Sequence, residues 1–541
     1  MILLSFSSLC TLFRKLYIPV SGFSTLPPTQ FRSPSVRSIC LDSPSVAVTH
    51  FVAMEYNGTG PTGGNSATED LNVYYNFGDI GYVLISASMV FIMIPGLGFL
   101  YSGLARRKSA LSMIWACMMS GAVAIFTWYF WAYSLAFSHT ATNGYIGNLH
   151  SFGLRNVLGA PPAATPLIPE LLFSLYEAMF CGVTLAIIMG SIAERGRLLP
   201  AMVFTFIYAT IVYAPVACWA WNPNGWAFKW GVFDYAGGGP VEIGSGVAGL
   251  AYSFVLGRRS DKLLLNFRPH NVSLVTLGTI LLWFGWLGFN GASSFGANLR
   301  AIYASWNSNL TAIFGAASWC LMDYRLERKW STVAICSGFI SGLVAATPAS
   351  GFIPLWASVP LGVVAGITCN LATKLKFLLR IDDSLDLFAE HAVAGIIGLI
   401  WNGFFAADYV IGLDGVNLGA TGGWVNHNYP ALYKQVVYVL ACSAYTFVMT
   451  CIICYGLNKV PGLQLRADED AEMRGMDEDQ IGEFAYDYVE VRRDYLAWAH
   501  PTPTDGVPVE HYKNQPTLVP VQPYSASEST ERGSGSGEKE S

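Results

Sequence analysis

Long apolar runs separated by short polar loops recur along most of the chain. A helix needs about 20 apolar residues to cross a bilayer core of about 30 Å, because each residue advances it by about 1.5 Å. Eleven runs have this length and predict eleven membrane-spanning helices. They lie near residues 80–105, 109–137, 171–193, 198–221, 235–257, 271–299, 301–322, 331–353, 354–373, 387–407 and 435–457. The pattern predicts an all-α membrane protein with a helical domain over residues 78–457.

The composition agrees with this prediction. Of the 541 residues, 53% are hydrophobic and only 12% are charged, and the mean hydropathy is +0.41. A soluble globular protein carries about twice that charged fraction. The sequence contains no cofactor motif, metal-ligand spacing or hydrolytic triad, so we expect no cofactor, no metal and no catalytic residue, and the chain is not expected to be an enzyme. The net charge of -5 gives no indication of a nucleic-acid partner.

Basic residues indicate which loops face the cytosol, because Lys and Arg in short loops are retained there. They concentrate in the loops after odd-numbered spans, for example at Arg106, Arg258 and Lys376, and are sparse after even-numbered spans. This asymmetry predicts an N-terminus outside the cell and a C-terminus in the cytosol. A sequon that begins at Asn57 falls on the predicted outer side, which makes Asn57 a candidate glycosylation site.

Two segments share one spacing of an aspartate, a second ionisable residue and two glycines. The copies are Asp234-x7-Glu242-x3-Gly246-x2-Gly249 and Asp383-x7-His391-x3-Gly395-x2-Gly398. The first copy leads into the fifth span and the second into the tenth, so they begin on opposite sides of the membrane. An odd number of spans per half requires an inverted repeat, in which the substrate path lies at the repeat interface. We therefore predict a five-plus-five inverted repeat followed by one extra helix.

Four ionisable side chains lie well inside the predicted spans: Glu177, Glu242, Glu390 and His391. Each costs roughly 2.5–3.5 kcal/mol at the centre of a bilayer, which makes each a candidate functional residue. A simpler role is a pair or hydrogen bond that holds helices together, and this alternative stays open for Glu177 and Glu390. Glu242 and His391 occupy equivalent places in the repeat, and a carboxylate beside an imidazole can share or pass a proton. They form the candidate proton relay.

The two ends of the chain differ from the helical domain. We interpret residues 1–53, rich in Ser and Pro, as an upstream extension of the gene model, with a cleaved leader as the alternative. Residues 54–77 are predicted to be an extracellular segment. The acidic residues 458–500 are predicted to form a cytosolic regulatory tail that docks on loops, with a solvated extension as the alternative. Residues 501–541 are rich in Pro, Ser, Thr and Gly, which predicts disorder.

Several longer stretches point to a family. They are Pro95 to Arg107, Met179 to Thr184 with Ala193 to Arg197, Asp234 to Gly238, Gly288 to Ser293, Asp382 to His391 and, in the tail, Gly475 to Phe484. On these stretches the chain resembles the ammonium transporter, methylammonium permease and Rhesus protein family, and in particular the fungal ammonium permeases. The resemblance covers about residues 70–495. It implies a homotrimer of eleven-helix subunits, each with its own pore.

The resemblance also implies an external recruitment site for a cation. Trp221 and Phe180 would offer aromatic faces, and Ser293 would offer a hydroxyl acceptor. Asp234, just below, would attract the cation and brace the site. Composition alone favours simpler roles, because tryptophan is common as an anchor at membrane surfaces and phenylalanine in packing. The family match favours the recruitment site.

Further residues match the family's gate. Tyr176 and Phe180 lie one helical turn apart and match the place where the family stacks two aromatic rings above the pore. Phe289 matches another aromatic residue of the gate region. Glu177 and Asp383 would support the site.

The pore itself departs from the family pattern. Most members carry histidine at both positions that correspond to Glu242 and His391, whereas this chain has glutamate at the first. The resemblance associates this variant with a subset of fungal permeases of high capacity and lower affinity. The change puts in doubt the picture of two neutral imidazoles that share one proton.

The resemblance thus implies an ammonium and methylammonium transporter of the plasma membrane, in contact with lipid. Ammonium would be recruited outside and deprotonated, ammonia would cross the pore, and the proton would pass through Glu242 and His391 with net movement of charge. Two alternatives stay open: a receptor that senses ammonium and signals through its tail, and an electroneutral gas channel for ammonia.

Overall fold

The computed structural model describes residues 56–60, 62–260 and 268–486. The predicted extension over residues 1–53 and the predicted disordered end over residues 501–541 lie outside these ranges, as do parts of the predicted extracellular segment and of the tail.

Eleven long helical segments, α1 to α11 in chain order, lie where the sequence predicts spans in the described part of the chain. Their bounds are Phe77–Leu104 (α1), Arg107–Phe137 (α2), Glu170–Ile192 (α3), Leu198–Tyr208 with Ala209–Tyr213 and Ala214–Trp221 (α4), Gly238–Ile243 with Gly244–Leu256 (α5), Val272–Gly291 (α6), Leu299–Glu327 (α7), Thr332–Ala346 (α8), Leu355–Ala372 (α9), Phe388–Val393 with Ala394–Phe405 (α10) and Pro430–Lys459 (α11). Shorter helices are Trp226–Trp230, Leu375–Leu379, Asp408–Ile411 and Glu469–Arg474.

Length and composition alone mark eight helices among the described residues as able to cross a membrane, and α8 as a shorter apolar helix. The helix α7 falls below that standard because it carries many polar side chains, of which Asn307, Ser308 and Thr311 are buried. Asn307 donates to the carbonyls of Ser350 and Ile353 at 2.6 and 2.9 Å and accepts from the Ser358 hydroxyl at 2.5 Å. These bonds fix the turn between α8 and α9, which explains why α8 ends at Ala346 rather than near residue 353.

Several helices begin at a side chain that caps their free backbone N–H groups. Asn271, Asn298 and Ser331 accept from the N–H three residues later at 3.0–3.1 Å, at the starts of α6, α7 and α8. Such caps satisfy donors that would otherwise lack partners at a helix end.

The fifth helix of each half begins in the same unusual way. Both α5 and α10 open with a six-residue π-helical segment, and these segments carry Glu242 and His391. The two helices cross in antiparallel register, because a Cβ added at Gly246 would lie 2.3 Å from the Ala392 nitrogen and one at Gly395 would lie 2.8 Å from Glu242 Cβ. Only glycine allows this approach. The predicted all-α fold with a five-plus-five inverted repeat and an extra helix is confirmed.

The tail after α11 packs against the loops at the end of the bundle that carries Arg195 and Arg259. Arg466 forms an isolated antiparallel bridge with Gly196. Asp477 caps the start of α2 by accepting from Leu111 N and Ser112 N at 3.0 and 2.7 Å. The described part of the tail therefore contacts these loops through Arg466 and Asp477; its regulatory role stays a prediction.

Candidate functional site

A cavity of about 260 Å³ opens between α3, α4, α6 and the loops that precede α5 and α7. The predicted recruitment residues all line it: Phe180, Trp221, Asp234 and Ser293. Sequence positions that are far apart are brought together here, because Phe180 of α3 contacts both Trp221 of α4 and Phe289 of α6. We call this space the vestibule.

A pair of stacked rings adjoins the vestibule, and one of them, Phe180, lines it. The rings of Phe180 and Phe289 stack with centroids 3.8 Å apart and planes 23° apart. Tyr176 lies beside them, 4.9 Å from Phe180 and tilted by 59°. Its hydroxyl donates to the Phe289 carbonyl at 2.6 Å. The stacked pair is thus Phe180 with Phe289, and Tyr176 holds the backbone of α6 that carries Phe289.

Trp221 forms one wall of the vestibule at the end of α4. Its ring stands edge-on to Phe180 at 6.2 Å and parallel to Phe137 at 6.5 Å. Its indole N–H donates to the Asp234 carbonyl at 3.2 Å. The indole is thereby oriented towards the cavity by a polar bond, which an anchor at the membrane surface would not require. Phe137, which sequence reasoning did not single out, is buried and packs against the indole.

Ser293 is the middle residue of the 3₁₀ turn Ala292–Ser294, which follows α6, and it is buried. Its hydroxyl donates to the Phe289 carbonyl at 2.8 Å. The lone pairs of this oxygen stay available as acceptors, which suits a donor in the vestibule. The hydroxyl of Tyr176 lies 3.4 Å away.

Asp234 caps the π-helical opening of α5. One carboxylate oxygen accepts from Gly237 N and Gly238 N at 3.0 and 2.6 Å, and the other accepts from Gly239 N at 2.8 Å and from the Tyr438 hydroxyl at 3.0 Å. A carboxylate has about four lone-pair sites, so Asp234 is saturated. It braces the turn and has no free acceptor to offer a ligand.

Glu242 and His391 meet at the centre of the bundle. Glu242 Oε2 lies 2.9 Å from His391 Nδ1, and the side chains are 0% and 4% exposed. The second oxygen of Glu242 has no hydrogen-bond partner among the described residues. The hydroxyl of Thr347, which faces Glu242, donates to the Leu343 carbonyl instead. The pair is thus isolated from solvent and bound to each other.

Asp383 precedes α10, and Glu390 lies in its π-helical opening, next to His391 in sequence. Asp383 accepts from Phe388 N at 2.8 Å, while its Oδ1 is buried without a partner among the described residues. Glu390 faces Ser337 of α8 and is flanked by Asp386 and Lys376. The Lys376 ammonium lies 2.8 Å from Asp386. Glu390 therefore faces away from the vestibule, towards the end of the bundle where the tail docks.

A charge cluster below the pore escaped sequence reasoning. Arg259 contacts Asp382 at 2.8 Å through two nitrogens and Glu194 at 3.0 Å. Burial raises the pKa of Asp382, but the hydrogen bonds and charges of Arg259 and Arg195 outweigh it and lower that pKa to about 2. Burial lowers the pKa of Arg195 to about 10. The runs Ala193 to Arg197 and Asp382 to Asp386 stood out as family stretches, but their pairing required the folded chain.

Among the described residues, no group of three or more His, Cys, Asp or Glu side chains could hold a metal ion. Asn57, the candidate glycosylation site, lies exposed ahead of α1.

Comparisons with known proteins agree with this arrangement. Residues 81–486 match the model described as the Ammonium Transporter Family. The chain is 55% identical over 483 residues to ammonium transporter MEP1 of Saccharomyces cerevisiae, which covers 89% of this chain and 96% of that relative. It is 57% identical over 425 residues to ammonium transporter MEP3 of the same yeast, with coverages of 78% and 86%.

Solved structures of the same fold are also similar. The crystal structure of Saccharomyces cerevisiae Mep2 matches with a TM-score of 0.72 at 48% identity and covers 77% of this chain and 97% of its own. The crystal structure of Candida albicans Mep2 matches with a TM-score of 0.74 at 44% identity, with coverages of 80% and 96%.

Proposed function

This chain belongs to the ammonium transporter family, and we propose that it takes up ammonium across the plasma membrane by splitting the ion into ammonia and a proton. Ammonium is recruited in the vestibule and deprotonated above the Phe180–Phe289 pair. Ammonia then crosses the apolar pore, and the proton passes through Glu242 and His391. The observation that carries the proposal is the 2.9 Å contact between these two buried groups.

Recruitment must distinguish ammonium from potassium, which has the same charge and a similar size. Aromatic faces attract either ion, at about 2 kcal/mol for a desolvated contact. Only ammonium, however, donates directed hydrogen bonds. Trp221 and Phe180 provide the faces, and the Ser293 oxygen provides an acceptor.

Deprotonation follows from the cost of a charge in the pore. A charged group in an apolar interior loses its hydration at a cost of many kcal/mol, whereas neutral ammonia avoids this cost. The proton released by ammonium then needs a separate carrier. Glu242 and His391 offer one acceptor each and lie in hydrogen-bond contact, so a proton held by one can move to the other.

The glutamate changes the charge of the relay. A pair of histidines alternates between neutral and positive as a proton enters. Glu242 with His391 alternates between negative and neutral, and the neutral state is favoured in a medium of low dielectric constant. A proton that enters therefore removes the net charge of this pair, whereas it would give a pair of histidines a positive charge.

Orientation and assembly complete the proposal. We infer an extracellular N-terminus, a cytosolic C-terminus and a homotrimer with one pore per subunit. The basic residues around Arg106 and Arg258 and the docked tail share one end of the bundle, and the vestibule and Asn57 belong to the opposite end. This arrangement agrees with the retention of basic loops in the cytosol.

The test is ammonium-evoked current and methylammonium uptake in cells that lack their own permeases. Wild type is expected to carry inward current during uptake, and His391→Ala is expected to lose the current because the relay loses one acceptor. His150→Ala, which alters an exposed loop histidine, is the matched control and should behave as wild type. Unchanged selective current in His391→Ala would contradict the relay. Uptake without current in wild type would favour an electroneutral gas channel instead.

A further inference from the structure

The vestibule contains more charge than the recruitment residues account for. Four charged side chains line it: Glu177, Asp234, Arg300 and Asp414. A cation that enters this space is held by whichever carboxylate still has a free oxygen. The hydrogen bonds that the three carboxylates already accept show which of them has a free oxygen.

Two of the three carboxylates are fully engaged. Asp234 accepts four hydrogen bonds from the turn of α5 and from Tyr438. Asp414 contacts Arg300 at 2.7 Å, and it also accepts from Val416 N and Asn417 N at 2.9 Å. Arg300 is neutralised by this contact. Neither carboxylate can accept a further hydrogen bond without giving up an existing one.

Glu177 is different. Its side chain is buried, with the residue only 4% exposed, and its Oε2 has no hydrogen-bond partner among the described residues. It lies on α3 three residues before Phe180, so both side chains share one face of the helix. A buried carboxylate oxygen without a donor is unfavourable and is stabilised by any cation that brings an N–H group.

We propose that Glu177 is a direct ligand of the recruited ammonium ion and accepts one of its N–H groups at Oε2. Trp221 and Phe180 supply the aromatic faces, and Ser293 supplies a second acceptor. Asp234 acts through the backbone of α5 and does not touch the ion. The inference deepens the proposed function and rests on it, because it assigns the negative charge of the same site to a different residue.

Glu177→Gln tests the assignment by saturable methylammonium uptake, with the amount at the cell surface measured in parallel. The amide keeps the shape but replaces a charge-assisted hydrogen bond with a neutral one, so KM is expected to rise about tenfold. A KM within about twofold of wild type overturns the assignment. Competition by potassium should strengthen in the variant, because the directed acceptor is weakened.

Glu170→Gln is the matched control. Glu170 is also a buried carboxylate on α3, but it accepts from the Tyr133 hydroxyl at 2.7 Å and contacts His139 at 3.3 Å, outside the vestibule. Its variant can lower the amount of protein, but KM should stay unchanged. An equal rise of KM in both variants would mean that Glu177 acts only by holding α3, which also overturns the assignment.

Glu177→Asp gives a second result if the glutamine variant does not reach the surface. It retains the charge but shortens the side chain by one methylene, so KM is expected to rise by less than in Glu177→Gln. An unchanged KM in this variant overturns the assignment. The proposed function fails separately, if wild type itself shows no saturable uptake.

Discussion

The turns that open α5 and α10 have the same spacing in sequence but hold their aspartates in opposite ways. Asp234 accepts four hydrogen bonds, three of them from consecutive backbone N–H groups. Asp383 accepts one, from Phe388 N, and its other oxygen is buried without a partner among the described residues. The turn before α5, which borders the vestibule and is called the outer turn, has Gly237, Gly238 and Gly239 where close backbone approach is needed, and Gly237 has a φ of +117°. The turn before α10 is called the inner turn.

The inner turn is held from outside instead. Arg195 donates to the Ser384 hydroxyl and to the Asp382 carbonyl, each at 2.6 Å. The Asp382 side chain binds Arg259, which also contacts Glu194. The inner turn therefore depends on side chains of other loops, whereas the outer turn depends on its own backbone.

The tail contacts the side-chain network that holds the inner turn. Glu194 accepts from Arg106 N at 2.7 Å, and the Arg106 guanidinium donates to the Glu472 carbonyl at 2.9 Å. Glu472 also accepts from Ser260 N at 2.7 Å. A displacement of the tail would therefore loosen the network that holds α10 and His391, while leaving the turn that holds α5 and Glu242 intact.

The largest effect is expected at Asp234. In Asp234→Asn the amide has one acceptor oxygen for four buried donors, so at least two donors lose a partner at about 1–3 kcal/mol each. We expect a loss of about 3 kcal/mol or more, visible as a much lower apparent melting temperature of the purified protein and little protein at the cell surface. A melting temperature close to that of wild type would mean that the outer turn is not held by this side chain.

An intermediate effect is expected at Asp382 and should depend on pH. Its folded-state pKa of about 2 lies below the ordinary value of 3.8. The ionised carboxylate therefore stabilises the fold above pH 3.8, and this stabilisation is lost as pH falls towards about 2. The shift corresponds to about 2 kcal/mol. Asp382→Asn should therefore have a lower melting temperature than wild type at pH 7, with Arg259 still paired to Glu194. The difference between the two melting temperatures should be smaller at pH 3. A difference that does not change with pH would contradict the charge network.

The smallest effect is expected at Asp383. Asp383→Asn keeps an oxygen for Phe388 N and removes an ionised oxygen that has no partner, which offsets the cost of burying the amide donors, so we expect a change of less than about 1 kcal/mol. The measurement is the same melting experiment, beside Asp234→Asn. Equal losses in the two variants would remove the distinction between the turns.

Periodicity and composition were sufficient to predict the fold. The third span was predicted at 171–193 and α3 occupies Glu170–Ile192; the eleventh was predicted at 435–457 and α11 occupies Pro430–Lys459. The matched spacing of the two motifs was sufficient to predict the inverted repeat, because it rests on chain order alone. The π-helical starts of α5 and α10 could not be predicted, since they depend on how the two helices cross.

Sequence reasoning named several residues that line the vestibule, but their hydrogen bonds and ring contacts depend on the folded chain. Sequence reasoning named Phe180, Phe289 and Tyr176 together, but which two rings stack depends on side-chain directions set by α6. It also gave Asp234 the task of attracting the cation, since nothing in the chain order shows that its oxygens are already occupied. The free oxygen of Glu177 could be found only by following the partner of every carboxylate in the folded vestibule.

The most direct test of the relay is ammonium-evoked current at two external pH values in cells without their own permeases, for wild type and Glu242→His. If Glu242 and His391 share the transported proton, the histidine variant carries a relay of different charge, and its current should show a shifted pH dependence and a lower maximum. An identical pH profile in the two proteins would mean that Glu242 only packs against His391, and would contradict the account.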